Sequence, residues 1–323
     1  MRLLITGGAG FIGSNFTRRI LLGNFKDITS VIVLDKLTYA GNLMNLDSVK
    51  SDRRFNFIEG DICDFNLMRK LAKKVDAIVN FAAESHVDRS IVSSEDFVQT
   101  NVVGVRVILD VLAELRSPIR LLQVSTDEVY GSISNGSWDE SCPLLPNSPY
   151  AASKASADLL VRAYHQTHGI DAIITRCSNN YGPFQFPEKM IPRFVTNIIE
   201  EKKIPLYGDG SNIRDWLHVD DHCDGIYLAL IKGESGEIYN IGGGLELTNK
   251  EITGRILDLM RKDDSYIEYV EDRKGHDKRY SINCEKISSQ LGYISKVSFS
   301  NGIKDTVDWY LTHKSWWEPL KSK

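Results

Sequence analysis

Short apolar runs ending in turn residues alternate along this chain with longer stretches whose apolar residues recur at helical spacing. The short runs lie at 2–6, 30–35, 55–58, 76–80, 119–124 and 171–176 and predict strands. Helical spacing fills 12–22, 64–74, 97–115 and 150–168 between them. Strands alternating with helices predict an α/β fold built on a doubly wound parallel sheet. After residue 177 the regularity fails. Segment 178–215 carries Pro183, Pro187, Pro192, Pro205, Gly208 and Gly210 around one helix at 191–201. A helix at 219–232 and a strand at 237–241 resume the earlier style, and 247–323 reads as a smaller mixed region. No linker or repeat separates the parts, so the pattern predicts two interleaved units. One takes 1–177 and 216–241, the other 178–215 and 242–323.

Composition narrows the class. The 323 residues are 42% hydrophobic and 25% charged, an ordinary globular mixture long enough for one large domain or two coupled ones. A formal net charge of −4 gives no general pull toward nucleic acid or an anionic membrane, so neither is expected as a partner. No apolar run approaches the ~18 residues of a membrane span. The opening Arg2-Leu3-Leu4-Ile5-Thr6 lacks the basic, apolar and small-residue succession of a secretory leader. Five cysteines (Cys63, Cys142, Cys177, Cys223, Cys284) are scattered and form no CxxC pair. That argues against a disulfide framework and a metal site, and for a reducing, cytoplasmic setting.

The first strand runs into Gly7-Gly8-Ala9-Gly10-Phe11-Ile12-Gly13. In this GxxGxxG spacing one glycine makes the tight turn, one lets backbone approach a pyrophosphate and one lets helix pack on strand. The helix N-terminus then faces the phosphate charge. A glycine cluster alone is a weak signal, but between a strand and an amphipathic helix it reads as a dinucleotide fingerprint. The second strand ends in Asp35. A carboxylate there accepts hydrogen bonds from the adenosine ribose and repels a 2′-phosphate, so NAD is expected rather than NADP. Alone, Asp35 would read as a surface residue at a strand end. Asp61-Ile62, after the third strand, suits the adenine edge, although Asp61 would serve equally as a helix cap.

Tyr150 and Lys154 lie one turn apart on one helix face. An ammonium there stabilises a phenolate, so the tyrosine can act as a base well below its ordinary pKa of about 10. The lysine can also hold the nicotinamide ribose. YxxxK is common by chance, yet behind a dinucleotide fingerprint it marks an oxidoreductase scaffold.

Fingerprint and YxxxK together resemble the extended short-chain dehydrogenase/reductases, and within them the sequence resembles the dTDP-glucose 4,6-dehydratase family. The matching stretches are 35–42 (DKLTYAGN), 82–90 (AAESHVDRS), 125–131 (STDEVYG), 176–183 (RCSNNYGP) and 185–189 (QFPEK). Further matches are 208–210 (GDG), 214–216 (RDW) and 275–277 (GHD), so the likeness extends to about residue 280. The resemblance implies a Rossmann domain with a smaller substrate domain. Asp127-Glu128 separates this reading from its relatives. Losing water across C5–C6 of a 4-keto sugar needs a base for the C5 proton and an acid for the departing 6-hydroxyl. Two adjacent carboxyl groups can supply both if their environments push their pKa values apart. Neighbours in extended chain point in opposite directions, so the pair must sit where a strand turns into a helix or loop. In isolation it would read as a capping Asp and an exposed Glu.

The resemblance assigns the roles. Asp127 is the acid and Glu128 the base, while Tyr150, networked with Thr126, removes the 4-hydroxyl proton beside Lys154. NAD is regenerated each cycle and stays bound. Cofactor contacts fall on Gly7, Gly10, Phe11, Ile12, Gly13, Asp35, Lys36, Thr38, Asp61, Ile62, Phe81, Ala82, Ala83, Ser85, Thr100, Tyr150, Lys154 and Asn180. Substrate contacts fall on Ser85, Thr126, Asn179, Lys189, Met190, Pro205, Tyr207, Arg214, Asn249 and His276. Arg214 is the diphosphate ligand, its guanidinium fork matching phosphate oxygens. Without the resemblance, Arg214 beside Asp215 would read as a surface ion pair and His276 as a loop histidine.

Departures from the family are modest. Cys177 stands where Thr is frequent and reads as packing. Segment 242–248 lacks the usual Asn-Glu pair near Asn249. Beyond residue 285 no motif is usable, and Trp309, Trp316 and Trp317 read as packing or interface residues. A homodimer is implied, with Val103, Val107, Val111, Leu159, Leu160 and Ala163 as its candidate helical face, although the same stripes fit an internal core. The expected reaction is dehydration of dTDP-glucose to dTDP-4-keto-6-deoxyglucose. Rivals are a nucleotide-sugar 4-epimerase, which needs no Asp-Glu pair, and a 4,6-dehydratase of another NDP-hexose such as GDP-mannose, whose usual NADP Asp35 disfavours. A redox-sensing binding module would commonly lose Tyr150 or Lys154.

Overall fold

The computed structural model describes residues 1–116 and 118–322. Its strands are β1 (Arg2–Thr6), β2 (Ser30–Asp35), β3 (Phe55–Glu59), β4 (Ala77–Asn80), β5 (Arg120–Thr126), β6 (Ala172–Cys177), β7 (Asn179–Tyr181), β8 (Ile204–Tyr207), β9 (Ile213–His218), β10 (Ile238–Ile241), β11 (Glu246–Thr248) and β12 (Ile267–Val270). Seven of them form one parallel sheet in the order β10-β6-β5-β4-β1-β2-β3. The doubly wound α/β fold expected from the alternation is therefore present. Strand order reverses between β1 and β4, and ligands of such sheets bind beyond the strands' carboxyl ends at that point.

Both faces of the sheet are covered, which is why its strands read as nearly unbroken apolar runs. In β1, Leu3 and Ile5 enter one core and Leu4 the opposite one. The first core is closed by α1 (Phe11–Leu21) and, from far along the chain, by Val219, Cys223, Ile226 and Leu230. The second is closed by α2 (Phe65–Ala72) and by two long helical segments. One of these, expected as a single helix over 97–115, is preceded by a short helix α3 (Val87–Val92). It consists of α4 (Glu95–Phe97), a π-helical turn at Val98–Gly104 and α5 (Val105–Leu115). The other is α6 (Pro149–His168), whose ends follow from local chemistry. The Ser148 side chain accepts from the Ala151 amide, Pro149 presets the first turn, and Gly169 ends the helix at φ +66°.

Segment 178–215, irregular by pattern, holds β7, β8, β9 and α7 (Met190–Ile199). β8 carries Pro205 and pairs only with β12, so the missing amide can face the open edge. The helix over 219–232 is α8 (Val219–Lys232), after which β10 returns to the large sheet beside β6. α9 (Asn249–Leu259), α10 (Glu285–Leu291), α11 (Phe299–Thr312) and α12 (Lys314–Trp317) complete the fold. A separate core joins Tyr181, Phe194, Ile204, Trp216, Ile256, Val307, Tyr310 and Trp317. The large sheet and this second core come together above the carboxyl ends of β1, β4 and β5.

Candidate active site

The glycine loop is shaped by contacts that a Cβ would prevent. Gly7 sits at φ +66°, where an added Cβ would lie 2.5 Å from the Ala82 amide nitrogen. At Gly13 it would lie 2.4 Å from the Gly7 carbonyl. α1 begins without a side-chain cap and without an acidic residue in its first turn, so its amides are free to meet an anion. Asp35 is buried beside this loop and accepts from the Ala9 amide at 2.9 Å and the Leu37 amide at 2.8 Å. Burial raises its pKa and those two bonds pull it back down. The loop, the bare helix end and the carboxylate fit a dinucleotide carrying a free ribose 2′-hydroxyl. Lys36, expected as a cofactor contact, lines the same cavity and pairs there with Asp61 at 2.8 Å.

One cavity collects the expected cofactor residues: the glycine-loop positions 7 and 10–13, Asp35, Lys36, Thr38, Asp61 and Ile62 all line it. So do Phe81, Ala82, Ala83, Ser85, Thr100, Tyr150, Lys154 and Asn180. A second cavity holds Met190, Pro205, Tyr207, Arg214, Asn249 and His276. Ser85, Glu128, Asn179 and Lys189 line both, so the two are continuous where chemistry is expected. Thr126 lines the first, beside Tyr150.

Tyr150 and Lys154 share a face of α6, but the ammonium is not aimed at the phenol. Lys154 Nζ donates to the Val124 carbonyl at 2.7 Å, and its pKa is lowered by burial against the opposing charge of Asp158. Burial, then the Glu128 charge, raises the Tyr150 phenol far above its ordinary value, while a hydrogen bond with Thr126 draws it down. Asn180, an expected cofactor contact, turns its side chain to His222 Nδ1 at 2.9 Å and to the Ser178 carbonyl at 2.9 Å.

Asp127 and Glu128 stand at the end of β5, where the strand tightens into a 3₁₀ turn over Asp127–Tyr130. The turn lets both carboxyl groups reach the cavity, as the sequence required. Their surroundings differ. Asp127 is 2% exposed, and its Oδ2 is buried without a hydrogen-bond partner. Burial, then the charges of Glu128 and Asp215, pushes its pKa well above the carboxylate range. Glu128 is also raised by burial, but Arg214, Lys189 and Arg273 pull it back. Asp127 therefore holds its proton to higher pH, and Glu128 is the more readily ionised of the two.

Arg214 carries no ion pair among the described residues. Its Nη2 donates to the Asp277 carbonyl at 2.9 Å, Nη1 to its neighbour's carbonyl at 2.7 Å, and the guanidinium lies 4.3 Å over the Tyr280 ring. Asp215 is occupied elsewhere, accepting from the Gly243 and Leu245 amides. A buried guanidinium that faces a cavity without an ion pair is built for an anion.

A profile of the GDP-mannose 4,6 dehydratase family matches residues 4–306. A dTDP-glucose 4,6-dehydratase of Actinoplanes sp. is 56% identical over 321 residues, covering 98% of this chain and 100% of its own. The chain belongs to this family of sugar-nucleotide 4,6-dehydratases. DesIV, the dTDP-glucose 4,6-dehydratase of Streptomyces venezuelae crystallised with NAD and TYD, superposes with a TM-score of 0.97 at 57% identity, covering 99% of this chain and 100% of that one. A UDP-glucuronic acid 4-epimerase of Bacillus cereus superposes at 0.89 with 28% identity, covering 96% and 98%. Scaffold alone therefore does not separate dehydratase from epimerase, and the carboxyl pair has to.

Several cavity residues escaped sequence reasoning. Glu188 lines both cavities, accepts from the Tyr39 hydroxyl at 3.0 Å and lies 3.4 Å from Arg89. Arg273 lines the second cavity and pairs with Asp88 at 2.5 Å. Glu188 lies within the matched stretch 185–189 but was given no role there, and Arg273 lies two residues before 275–277, so these stretches were the available signal. Asn101 gave none. It sits in the π-helical turn and ties the Glu84 backbone to Ser153 on α6. Cys177 is buried with its thiol pushed up by burial, and it belongs to the first core.

Proposed function

We propose that this chain converts dTDP-glucose to dTDP-4-keto-6-deoxyglucose. The observation that carries the reading is the Asp127–Glu128 pair, adjacent in sequence, facing one cavity and pushed apart in proton affinity. Bound in the first cavity, NAD supplies a hydride acceptor for C4 and the same hydride for C6. Tyr150, beside Thr126, would take the proton of the 4-hydroxyl once the positive nicotinamide of bound NAD offsets the burial that holds its phenol protonated. The resulting ketone acidifies the C5 proton, which Glu128 takes. Asp127 gives its proton to the departing 6-hydroxyl, which leaves as water, and Glu128 returns a proton to C5 as C6 is reduced. Arg214 holds the diphosphate, and Lys189, anchored on the Ser85 carbonyl at 2.7 Å, places its charge near the sugar.

The epimerase rival is tested directly. Asp127→Asn with Glu128→Gln is expected to leave C4 oxidation intact and abolish water loss, read as absence of the alkaline absorbance of the 4-keto product. Dehydration that survives the double change overturns the assignment. Comparing dTDP-, UDP-, CDP- and GDP-glucose fixes the base. The first is expected to be the preferred substrate.

The same reading extends to the assembly and setting. Ile91, Val92, Val98 and Leu159 expose apolar side chains on α3, on the π-helical turn and on α6, Val92 at 89%, which supports pairing of two copies through this side. Val107 and Val111, in contrast, are internal core. Sedimentation of a dimer that Leu159→Lys converts to monomer is the expected result. Five unpaired cysteines favour the cytoplasm, and a 4-keto-6-deoxy product suits pathways to rhamnose or another deoxysugar.

A further inference from the structure

The first cavity has a wall that the motif-bearing part of the chain does not supply. Trp316 and Leu320, from the last residues of the chain, line it opposite the glycine loop. Trp316 is 4% exposed and is fixed from two sides. On one side its ring meets Trp309 at 5.0 Å and Phe184 at 5.6 Å, both edge-on, and it belongs to the second core. On the other its indole N–H donates to Asn45 Oδ1 at 2.9 Å.

Asn45 carries that contact onward. It is 2% exposed, and its Nδ2 donates to the Ala9 carbonyl within the glycine loop at 2.8 Å. The Asn42 amide donates to the same carbonyl at 3.1 Å. Arg18 of α1 donates to the Asn45 carbonyl at 2.6 Å while its guanidinium lies 4.1 Å over the Phe184 ring. The tail is thus joined through one amide side chain to the turn that faces the pyrophosphate site, across 271 residues of sequence.

We propose that Trp316 is a positioning residue for the dinucleotide: through Asn45 and Ala9 it clamps α12 onto the glycine loop, closing the cavity so that NAD stays resident between turnovers. The inference rests on the reading that NAD is regenerated in place. A cofactor that is reduced and reoxidised each cycle gains nothing from exchange, and a wall made of a late segment can be tight without obstructing the substrate cavity, whose lining does not include it.

The test measures bound nucleotide as well as activity. Wild-type protein, Trp316→Ala, Trp316→Phe and Val307→Ala are desalted, and the nucleotide released by acid is quantified. Val307 is buried in the same core as Trp316 but does not line the cavity, so it reports general loosening. Trp316→Ala is expected to release NAD about tenfold to a hundredfold faster, the size of one lost hydrogen bond plus an aromatic contact. Saturating added NAD restores its kcat, and its KM for dTDP-glucose is unchanged. Trp316→Phe, keeping a ring but losing the N–H, falls between. Retention of NAD by Trp316→Ala at the wild-type level, or loss no greater than in Val307→Ala at a matched fall in Tm, overturns the inference. Wild-type protein emerging free of nucleotide overturns the resident-cofactor reading first, and this inference with it.

Discussion

Asn101 offers the sharpest separation of position from chemistry, because it touches neither cavity residue pair directly yet holds both halves of the site. Its side chain makes three hydrogen bonds: Oδ1 accepts from the Glu84 amide at 2.9 Å, and Nδ2 donates to the Glu84 carbonyl at 3.0 Å and to Ser153 Oγ at 2.8 Å. Ser153 in turn donates to the Tyr150 carbonyl at 2.7 Å. At 1% exposure no water replaces these bonds. Asn101→Ala leaves the amide and carbonyl of Glu84 unpaired, at about 1–2 kcal/mol each, so the fold should lose about 2–4 kcal/mol. For a chain of this size that is roughly a 3–6 °C fall in Tm. Asn101→Asp keeps the acceptor but turns both donors into acceptors and brings in a charge, so it should lose at least as much. Thermal unfolding followed by circular dichroism reads the loss. Steady-state kinetics should show kcat falling more than KM rises, because the Glu84 loop and the first turns of α6 shift while the diphosphate site does not. A Tm change under about 1 °C in Asn101→Ala, with kcat intact, would refute the reasoning.

Glu128→Gln removes the base for the C5 proton, so turnover should fall about 10²–10⁴-fold, the usual size of a lost general base. Single-turnover mixing should then show reduced-nicotinamide absorbance that builds and persists, whereas decay at the wild-type rate would exclude the role. Asp127→Asn should abolish dehydration and yet stabilise the protein at neutral pH. The raised folded-state pKa of Asp127 means that the native state holds a proton which the unfolded state releases, so stability falls as pH rises above the ordinary carboxylate value. Denaturant titrations should find the advantage of Asp127→Asn over wild type at neutral pH and its disappearance below about pH 4; an advantage independent of pH would contradict the burial argument.

The sheet was legible because its inner strands β1, β2 and β4 are largely buried on both faces, which forces the apolar runs that end at Thr6, Asp35 and Asn80. The second unit was not, because β7 and β11 span only three residues each and β8 contains a proline, so none carries a period long enough to read. The same contrast holds in the site. Glycine loop, Asp35 and YxxxK are local in sequence and were readable from spacing alone. Asp127 and Glu128 needed a turn at the end of β5, which spacing allowed without fixing, and their roles depend on Arg214, Lys189 and Asp215, brought from distant segments. The π-helical turn left no trace because its apolar spacing matches an ordinary helix over so few residues. Trp316 reads from sequence as packing or interface, and it does pack; that its indole also bonds to Asn45, which holds the glycine loop, is a long-range fact no local pattern contains.

Arg214 links substrate binding to the strength of the base. In the free protein its guanidinium is the largest influence holding Glu128 down against burial. A diphosphate seated on Arg214 would cancel much of that field. Glu128 should then become more basic in the complex than in the free enzyme, so the base strengthens only once a nucleotide sugar is in place. The sign is open to measurement, since kcat/KM reports groups of the free enzyme and kcat those of the complex. The acid limb of kcat is expected to lie at higher pH than that of kcat/KM, because a more basic carboxyl group is protonated sooner as pH falls. Arg214→Met should raise the limb of kcat/KM toward that of kcat, closing the gap, while increasing KM for dTDP-glucose. A kcat limb lying below that of kcat/KM in the wild type, or a gap unchanged in Arg214→Met, would show that the guanidinium does not set the base.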